Sequence, residues 1–467
     1  MSRVLRWLAL RFEPEDSIVA VLEHPVPAAL AGPVGWWYVF GSATLAIFIV
    51  QVVTGVGLAM TYVPAPNSAY ESLQFISTEA TLGRVVRGIH YFGAGAMVVL
   101  VLVHMTQVFL FGSYKFPREA NWMTGSLLLL ATLAMAFTGQ LLRWDQDAFW
   151  SVVVAAEQAS RAPVIGGFLA TLVVAGQNVG GATLTRFYAT HVFLIPGAIF
   201  GLIGLHLYLV VKRGISEPPV AGERVDPRTY LARYAGLLRR GIPFYPDAAV
   251  RDVVVSFIAI VAVVGLAVIA GAPMLGKPPD PTIIVADPRP DWYFIGYFAL
   301  LAIIPKGLES LIIIGLPLLA VLFLFVLPLL RPAGERHPSR RPAAVAAVGL
   351  GAIVYGALTV VGFQSPWVPV RADGASLPPA VLAGLDPARA NGARLFVAKD
   401  CFSCHRIAGA GGRRGPDLSA IGSQRSAEQL TTTILNGAAD AMPSFAGALG
   451  PQELADLVSF LTSRQRP

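Results

Sequence analysis

Residues 84–111 read RVVRGIHYFGAGAMVVLVLVHMTQVFLF, and residues 187–211 read FYATHVFLIPGAIFGLIGLHLYLVV. Each is apolar and long enough to cross a bilayer as a helix, which takes about 20 residues, and each carries two histidines. An ionisable side chain inside such a segment marks a candidate functional site. One histidine alone reads as well as a helix-packing hydrogen bond, so the spacing has to decide. The 14 residues from His90 to His104 turn a helix through about 1400°, some 40° short of four turns, so both lie on one face about 21 Å apart. The 15 residues from His191 to His206 bring the second within about 60° of the first, roughly 22 Å along the axis.

The rest of the chain surrounds these two segments with more of the same. Of its 467 residues 55% are hydrophobic and 13% are charged, whereas a soluble globular protein has about a quarter charged. Seven spans are expected, at 34–62, 84–111, 121–142, 187–211, 250–271, 308–330 and 343–362. The net charge of +7 does not point to nucleic acid, because the basic residues cluster in connections between spans. Lys115 and Arg118 follow the second span, Lys212 to Arg240 the fourth, and Arg331 to Arg341 the sixth. By the positive-inside rule these connections face the cytoplasm. The stretch before the first span is amphipathic and basic (Arg3, Arg6, Arg11) and lacks a small-residue cleavage site, so no removable signal peptide is expected. An odd span count sends the C-terminus to the outer side. Two long outer loops, 143–186 and 272–307, are of the length that usually carries function.

Spans two and four run parallel, so His90 can face His191 near the outer surface and His104 can face His206 near the inner one. Two stacked pairs of imidazoles suit two bis-histidine haems, whose saturated irons carry electrons. Gly41 and Gly55 in span one, and Gly125 and Gly139 in span three, repeat the 14-residue interval. Glycine leaves room where a flat macrocycle presses on backbone; small-residue helix packing is the alternative source of such a pattern. The stretches RGIHYFGAGAMVVLVLVHM, GSYKFPREANWMTG and ATLTRFYATHVFLIPGAIFGLIGLH resemble cytochrome b, the quinol-oxidising subunit of bc and bf complexes. The resemblance covers about residues 30–365, and the span-four interval with the following KRGIS is similar to the bf type. It implies that Arg87 and Arg118 pair with haem propionates. It also aligns Val39 with a cysteine that holds an additional haem in bf-type proteins, so no such covalent haem is expected. Val211 stands at a position often basic in that type.

The outer loop before span six contains Pro290, Asp291, Trp292 and Tyr293. The resemblance places a proline–acid–Trp–Tyr motif at the quinol oxidation site. Quinol oxidation releases two protons, and a carboxylate in a partly dry pocket can accept one, with Tyr293 bonding the ring oxygen. Alone, the tetrapeptide reads as a helix start. Aspartate in place of glutamate resembles members that use menaquinone. The segment GQLLRWDQDAFWSV resembles the loop that closes the same pocket, with Trp144 lining it, although the family usually carries proline where this chain has Arg143. Trp144, Phe149 and Trp150 read equally as interfacial aromatics.

Beyond a Pro- and Ala-rich linker, residues 401–405 read CFSCH. This arrangement attaches haem covalently through Cys401 and Cys404, with His405 as axial ligand. No histidine follows His405, so Met442 in AMPSF is the expected second ligand, and the tail resembles a class I cytochrome c. One helix is expected from Asp386-Pro387 through Phe396, and a last one from Pro451 carrying Leu457 and Phe460 against it.

The expected fold is all-α: a polytopic transmembrane bundle of a four-helix dihaem domain (1–215) and three further spans (216–365), then a linker (366–385) and a small soluble cytochrome c domain (386–467). The expected cofactors are two non-covalent haems b and one covalent haem c, with quinol and quinone as substrates. The resemblance implies quinol oxidation at the outer site, one electron passing to a separate Rieske iron–sulfur protein and then to cytochrome c, the other crossing the membrane, with proton translocation. The cytochrome c reached in this way is the chain's own c haem, the crossing electron reduces quinone on the inner side, and a soluble or membrane cytochrome c or other acceptor lies beyond. The resemblance also implies a homodimer in contact with membrane lipid, in the inner membrane of a bacterium with the cytochrome c domain on the periplasmic side. A Rieske-independent oxidoreductase, a non-catalytic electron-transfer subunit and a haem-based redox sensor are the alternatives.

Overall fold

A computed structural model describes residues 23–176, 179–280, 289–364, 377–399, 401–412, 415–437, 442 and 444–465. The basic N-terminal stretch and the first part of the linker lie outside the described residues. Among those described, seven helices are long and apolar enough to cross a membrane: Pro33–Ala59, Gly83–Leu110, Glu119–Leu141, Gly181–Arg213, Phe244–Ile269, Gly307–Leu330 and Pro342–Gln364. They match the expected spans within a few residues, except that the fourth and fifth begin six residues earlier. In lipid every backbone N–H and C=O must be satisfied within the segment, which a helix does.

In chain order the helices are α1 (Phe40–Ala59), α2 (Ala69–Thr78), α3 (Gly83–Leu110), α4 (Glu119–Leu141), α5 (Gln146–Ser160), α6 (Gly166–Val174), α7 (Gly181–Ala189) and α8 (Ile195–Arg213). There follow α9 (Tyr230–Leu238), α10 (Ala249–Ile269), α11 (Trp292–Ile303), α12 (Lys306–Leu330) and α13 (Pro342–Gln364). Helix α1 packs on α3, α4 on α8, and α10 on both α1 and α3. Ile47 and Phe48 of α1, Met97 of α3, Ile199 of α8 and Val263 of α10 form their shared core. The two long loops expected between spans contain helices of their own. Loop 143–186 folds into α5 and α6, and loop 272–307 into the 12-residue α11, about 18 Å long and too short to span. Helix α11 packs against α13.

Helices α7 and α8 are one span interrupted by a π-turn, Thr190–Leu194. Its cause is readable two residues on. Pro196 has no N–H to give the carbonyl of Val192, and its ring crowds that carbonyl; a wider turn just before it relieves the crowding.

One end of the bundle gathers the basic connections. Lys115 Nζ donates to the carbonyls of Arg331 (2.9 Å) and Ala333 (2.6 Å), and Arg341 to those of Phe109 (2.7 Å) and Leu110 (2.9 Å). These cations therefore sit on the carbonyls that end α3 and α12, where a helix dipole favours positive charge. Arg336 pairs with Glu217 at 2.9 Å, both nearly buried, and the strand pair Arg224–Val225 with Gly334–Glu335 closes the same junction.

The tail is a separate helical unit built on α15 (Pro387–Ala398) crossing α18 (Pro451–Thr462), with α14 (Pro379–Leu382), α16 (Cys401–Cys404) and α17 (Ala427–Asn436). Asp386 caps α15, its carboxylate accepting from the Arg389 N–H at 2.9 Å. Phe396 and Phe460 meet at 6.0 Å, as the apolar positions of both helices predicted. Leu377 and Val381 belong to this core, so residues 377–385 are part of the folded tail rather than linker. Leu377 and Val381 are buried there and Leu385 packs against them, while Leu382 stays exposed.

Candidate functional site

Each histidine of the bundle meets one glycine of a neighbouring helix. A Cβ on Gly41 would lie 3.3 Å from the His104 ring, on Gly55 3.1 Å from His90, on Gly125 3.4 Å from His206 and on Gly139 2.6 Å from His191. At Gly139 a side chain would collide with the ring outright. Since α1 holds two of these glycines and α4 the other two, the helices beside the histidine-bearing ones are shaped to admit bulk at two levels.

At the end away from the basic connections, the His90 and His191 rings stand 6.3 Å apart, centroid to centroid, nearly perpendicular. Two imidazoles on opposite sides of one metal, with metal–nitrogen bonds of about 2.0 Å and ring centres roughly 1.1 Å behind each nitrogen, would be about 6.2 Å apart. The spacing fits a bis-imidazole metal centre. At the basic end a cavity of about 430 Å³ is lined by His104, His206, Gly41, Gly125, Val39 and Arg118. The donor set and the glycine cradles thus fit haem at both levels.

The 15-residue interval in span four looked 60° out of register, yet both histidines reach their partners. The π-turn containing His191 absorbs the additional residue. Two arginines stand at opposite ends of these sites. Arg87 donates to Ser77 Oγ (3.1 Å) and the Pro273 carbonyl (2.9 Å). Arg118, nearly buried, donates to Gly214 O (2.8 Å), Arg213 O (3.2 Å) and the Tyr230 hydroxyl (2.7 Å).

The Pro-Asp-Trp-Tyr segment leads into α11. Asp291 is its N-cap, but no side-chain capping bond forms. The carboxylate instead accepts the Tyr293 hydroxyl at 2.5 Å. Burial raises the Asp291 carboxyl above its ordinary value, against the opposing pull of Tyr293 and of the Arg143 charge. Pro290 precedes it, half-buried, and the Trp292 indole nitrogen comes 3.7 Å from where a Gly95 Cβ would be. The Tyr293 carbonyl accepts from the Tyr355 hydroxyl of α13.

Arg143, the departure from the family's proline, turns out to belong here. It pairs with Asp145, lies 3.6 Å from Asp147, and its charge acts on Asp291. Asp145 is fully buried and accepts from the Gly276 N–H at 3.0 Å; Gln146 exchanges hydrogen bonds with Asp280. These bonds tie the two outer loops together. Trp144 is committed elsewhere: with φ of 45° it packs in a buried cluster with Ala69 and Leu184. Phe149 and Trp150 are also buried, so none of the three lies as an exposed belt aromatic. Sequence reasoning missed Arg143 and Tyr355 as neighbours of the motif. Only the arginine had a signal, its departure from the expected proline.

In the tail, Cys401 and Cys404 occupy one turn of α16, three residues apart on a common face, and neither is in a disulfide. His405 follows, its Nδ1 2.9 Å from the Pro416 carbonyl, which leaves Nε2 as the nitrogen for a metal. Burial lowers the His405 imidazole below its ordinary value, favouring the neutral, ligating form. Met442 is half-buried against the tail's core. Paired thiols, an oriented imidazole and a thioether in one small helical unit fit a covalently held haem.

Three family models match successive parts of the chain. The family model "Cytochrome b/b6/petB" matches residues 25–214, "Cytochrome b(C-terminal)/b6/petD" residues 278–373, and "Cytochrome C oxidase, cbb3-type, subunit III" residues 387–461. The chain is 36% identical over 223 residues to a menaquinol:cytochrome c reductase cytochrome b subunit of Bacillus subtilis (strain 168), covering 47% of this chain and 99% of that one. It is 33% identical over 341 residues to a cytochrome bc complex cytochrome b subunit of Chlorobaculum thiosulfatiphilum, covering 72% and 76%. Among solved structures it is similar to a chain of a hyperthermophilic respiratory Complex III, with a TM-score of 0.62 and 26% identity over 78% of this chain and 92% of that one.

Proposed function

The chain belongs to the cytochrome b family and carries a c-type cytochrome domain behind its membrane part, and on that footing we propose that it oxidises membrane quinol beside Asp291. It is the cytochrome b subunit of a bc- or bf-type complex, a multi-pass membrane protein with oxidoreductase activity, and its two cytochrome parts imply haem. Asp291 carries the finer reading. A helix-capping aspartate would spend its oxygens on backbone N–H groups; this one is held by Tyr293, feels the Arg143 charge and is kept partly dry, as a proton acceptor for quinol requires. Tyr293 orients the carboxylate and can hand its hydrogen bond to a quinol oxygen. Pro290 and Trp292 line the pocket, and Trp144 supports the adjoining loop from its own cluster.

His90 with His191 and His104 with His206 would hold two haems b through Nε2, the four glycines giving clearance and Arg87 and Arg118 standing at the two ends for the propionates. Cys401, Cys404, His405 and Met442 would hold haem c. Bound there, haem supplies one-electron carriers. The basic end is read as cytoplasmic and the tail as periplasmic, since covalent haem attachment of this kind takes place outside the cytoplasm. A Rieske iron–sulfur protein and a cytochrome c acceptor are the expected partners. The name of the Bacillus relative favours menaquinol as the substrate.

The test is Asp291→Asn in the complex purified from membranes. Quinol-dependent cytochrome reduction should fall about a hundredfold, the lower range for losing a general base, with haem spectra unchanged. Unaltered turnover would remove Asp291 from the reaction.

A further inference from the structure

Three of the four bundle histidines share an arrangement that the fourth lacks. The glycine against each of the three rings is preceded by a threonine: Thr54 before Gly55, Thr124 before Gly125 and Thr138 before Gly139. Thr54 Oγ1 lies 3.0 Å from His90 Nδ1, Thr124 Oγ1 2.9 Å from His206 Nδ1 and Thr138 Oγ1 3.1 Å from His191 Nδ1. Each hydroxyl also gives its proton to a carbonyl of its own helix, at Val50 (2.7 Å), Asn121 (2.9 Å) and Ala134 (2.8 Å) respectively. With that proton given to the helix, the oxygen accepts from the imidazole, and each of these rings also bonds a backbone carbonyl of the threonine's helix, at Gln51, Asn121 or Met135 for His90, His206 and His191 respectively. A carbonyl can only accept, so the ring carries its hydrogen on Nδ1, shared between carbonyl and hydroxyl, and presents a bare Nε2. The fourth glycine, Gly41, follows Phe40, and the Nδ1 of its histidine, His104, is buried with no hydrogen-bond partner among the described residues.

We propose that Thr54, Thr124 and Thr138 are positioning residues that fix the tautomer and electron donation of the haem-ligating histidines, and that Phe40 leaves His104 without this brace. The inference rests on the reading of the four histidines as haem ligands. A hydrogen bond accepted from Nδ1–H makes the opposite nitrogen more basic and favours the oxidised metal, and such bonding is one of the protein's levers on haem potential. The His90/His191 site carries two of these bonds and the His104/His206 site carries one. The three hydroxyls therefore act in a graded way on two separate centres.

The experiment is redox-titrated absorption and electron paramagnetic resonance of the full chain in its complex, resolving the two b-type signals. In Thr54→Val and in Thr138→Val, one signal should move to higher potential, by at least a threefold change in its oxidised-to-reduced ratio at fixed ambient potential, while the other stays. Thr124→Val should move the other signal upward, and Phe40→Thr should move that same signal downward. Thr→Ser at each site should restore the starting value. Loss of the pigment in the valine variant with retention in the serine variant also upholds the role of the hydroxyl. Potentials unchanged in both Thr54→Val and Thr138→Val, or pigment lost from valine and serine variants alike, would overturn the inference. The underlying ligand reading fails separately, if His90→Ala and His104→Ala chains keep both b-type signals.

Discussion

Asp291 stands immediately before α11, where an aspartate ordinarily serves the helix's own N–H groups. Its carboxylate bonds Tyr293 instead, and that difference separates a local structural role from a chemical one. Burial raises its pKa, partly offset by Tyr293 and Arg143. The proton-accepting form is the carboxylate, which grows as pH rises through the raised value. Quinol oxidation should therefore climb with pH along a limb lying above the ordinary carboxylate range, and Asp291→Asn should flatten that limb in a pH profile of turnover. The motif itself was legible in the sequence because its four residues are consecutive. Arg143 was not, because nothing local ties it to a residue some 150 positions later; hydrogen bonds from loop 272–280 to Asp145 and Gln146 help hold the two outer loops together.

At the scale of the element, the histidine spacing was legible because an α-helix repeats every 3.6 residues, and the glycines obeyed the same period. Span four obeys it through a detour. The π-turn at Thr190–Leu194 makes a 15-residue interval behave as 14. Deleting Phe193, which is two-thirds exposed within that turn, should convert it to regular helix and, with the haems b held as proposed, leave both in place. Inserting one alanine between Gly95 and Ala96 of α3 should rotate His90 about 100° from the shared face and remove one haem. Acid-acetone extraction of each variant counts the non-covalent pigment. Two haems in the insertion variant would show that register does not govern the site. Helix α11 was hidden for a related reason: its twelve residues are almost all apolar, and periodicity cannot distinguish a short buried helix from part of a longer apolar run.

At the scale of the molecule, the basic end joins the first four spans to the last three. Burial pushes the Glu217 carboxyl up, but Arg336 and the Tyr230 hydroxyl outweigh it and hold the group below the usual carboxylate range. Glu217→Ala leaves Arg336, only 4% exposed, as an unpaired buried cation, which costs about 3–5 kcal/mol. The variant should unfold at distinctly lower temperature at neutral pH. A carboxyl with a lowered folded pKa contributes above its unfolded value and loses that contribution as pH falls through the folded one. The gap in Tm between Glu217→Ala and the unsubstituted chain should accordingly close in acid; a gap that persists at low pH would contradict the ion-pair account.

The seven spans, the two histidine levels with their glycines and the CFSCH motif were legible along the chain, because each is written in a local period or a contiguous run. The fold alone settles that the Arg143 charge acts on Asp291, that Leu377 and Val381 join the tail's core, and that three histidines have a threonine beside them while His104 has none among the described residues. Those outcomes depend on which distant surfaces meet, and packing across helices is not encoded in the spacing along any one of them.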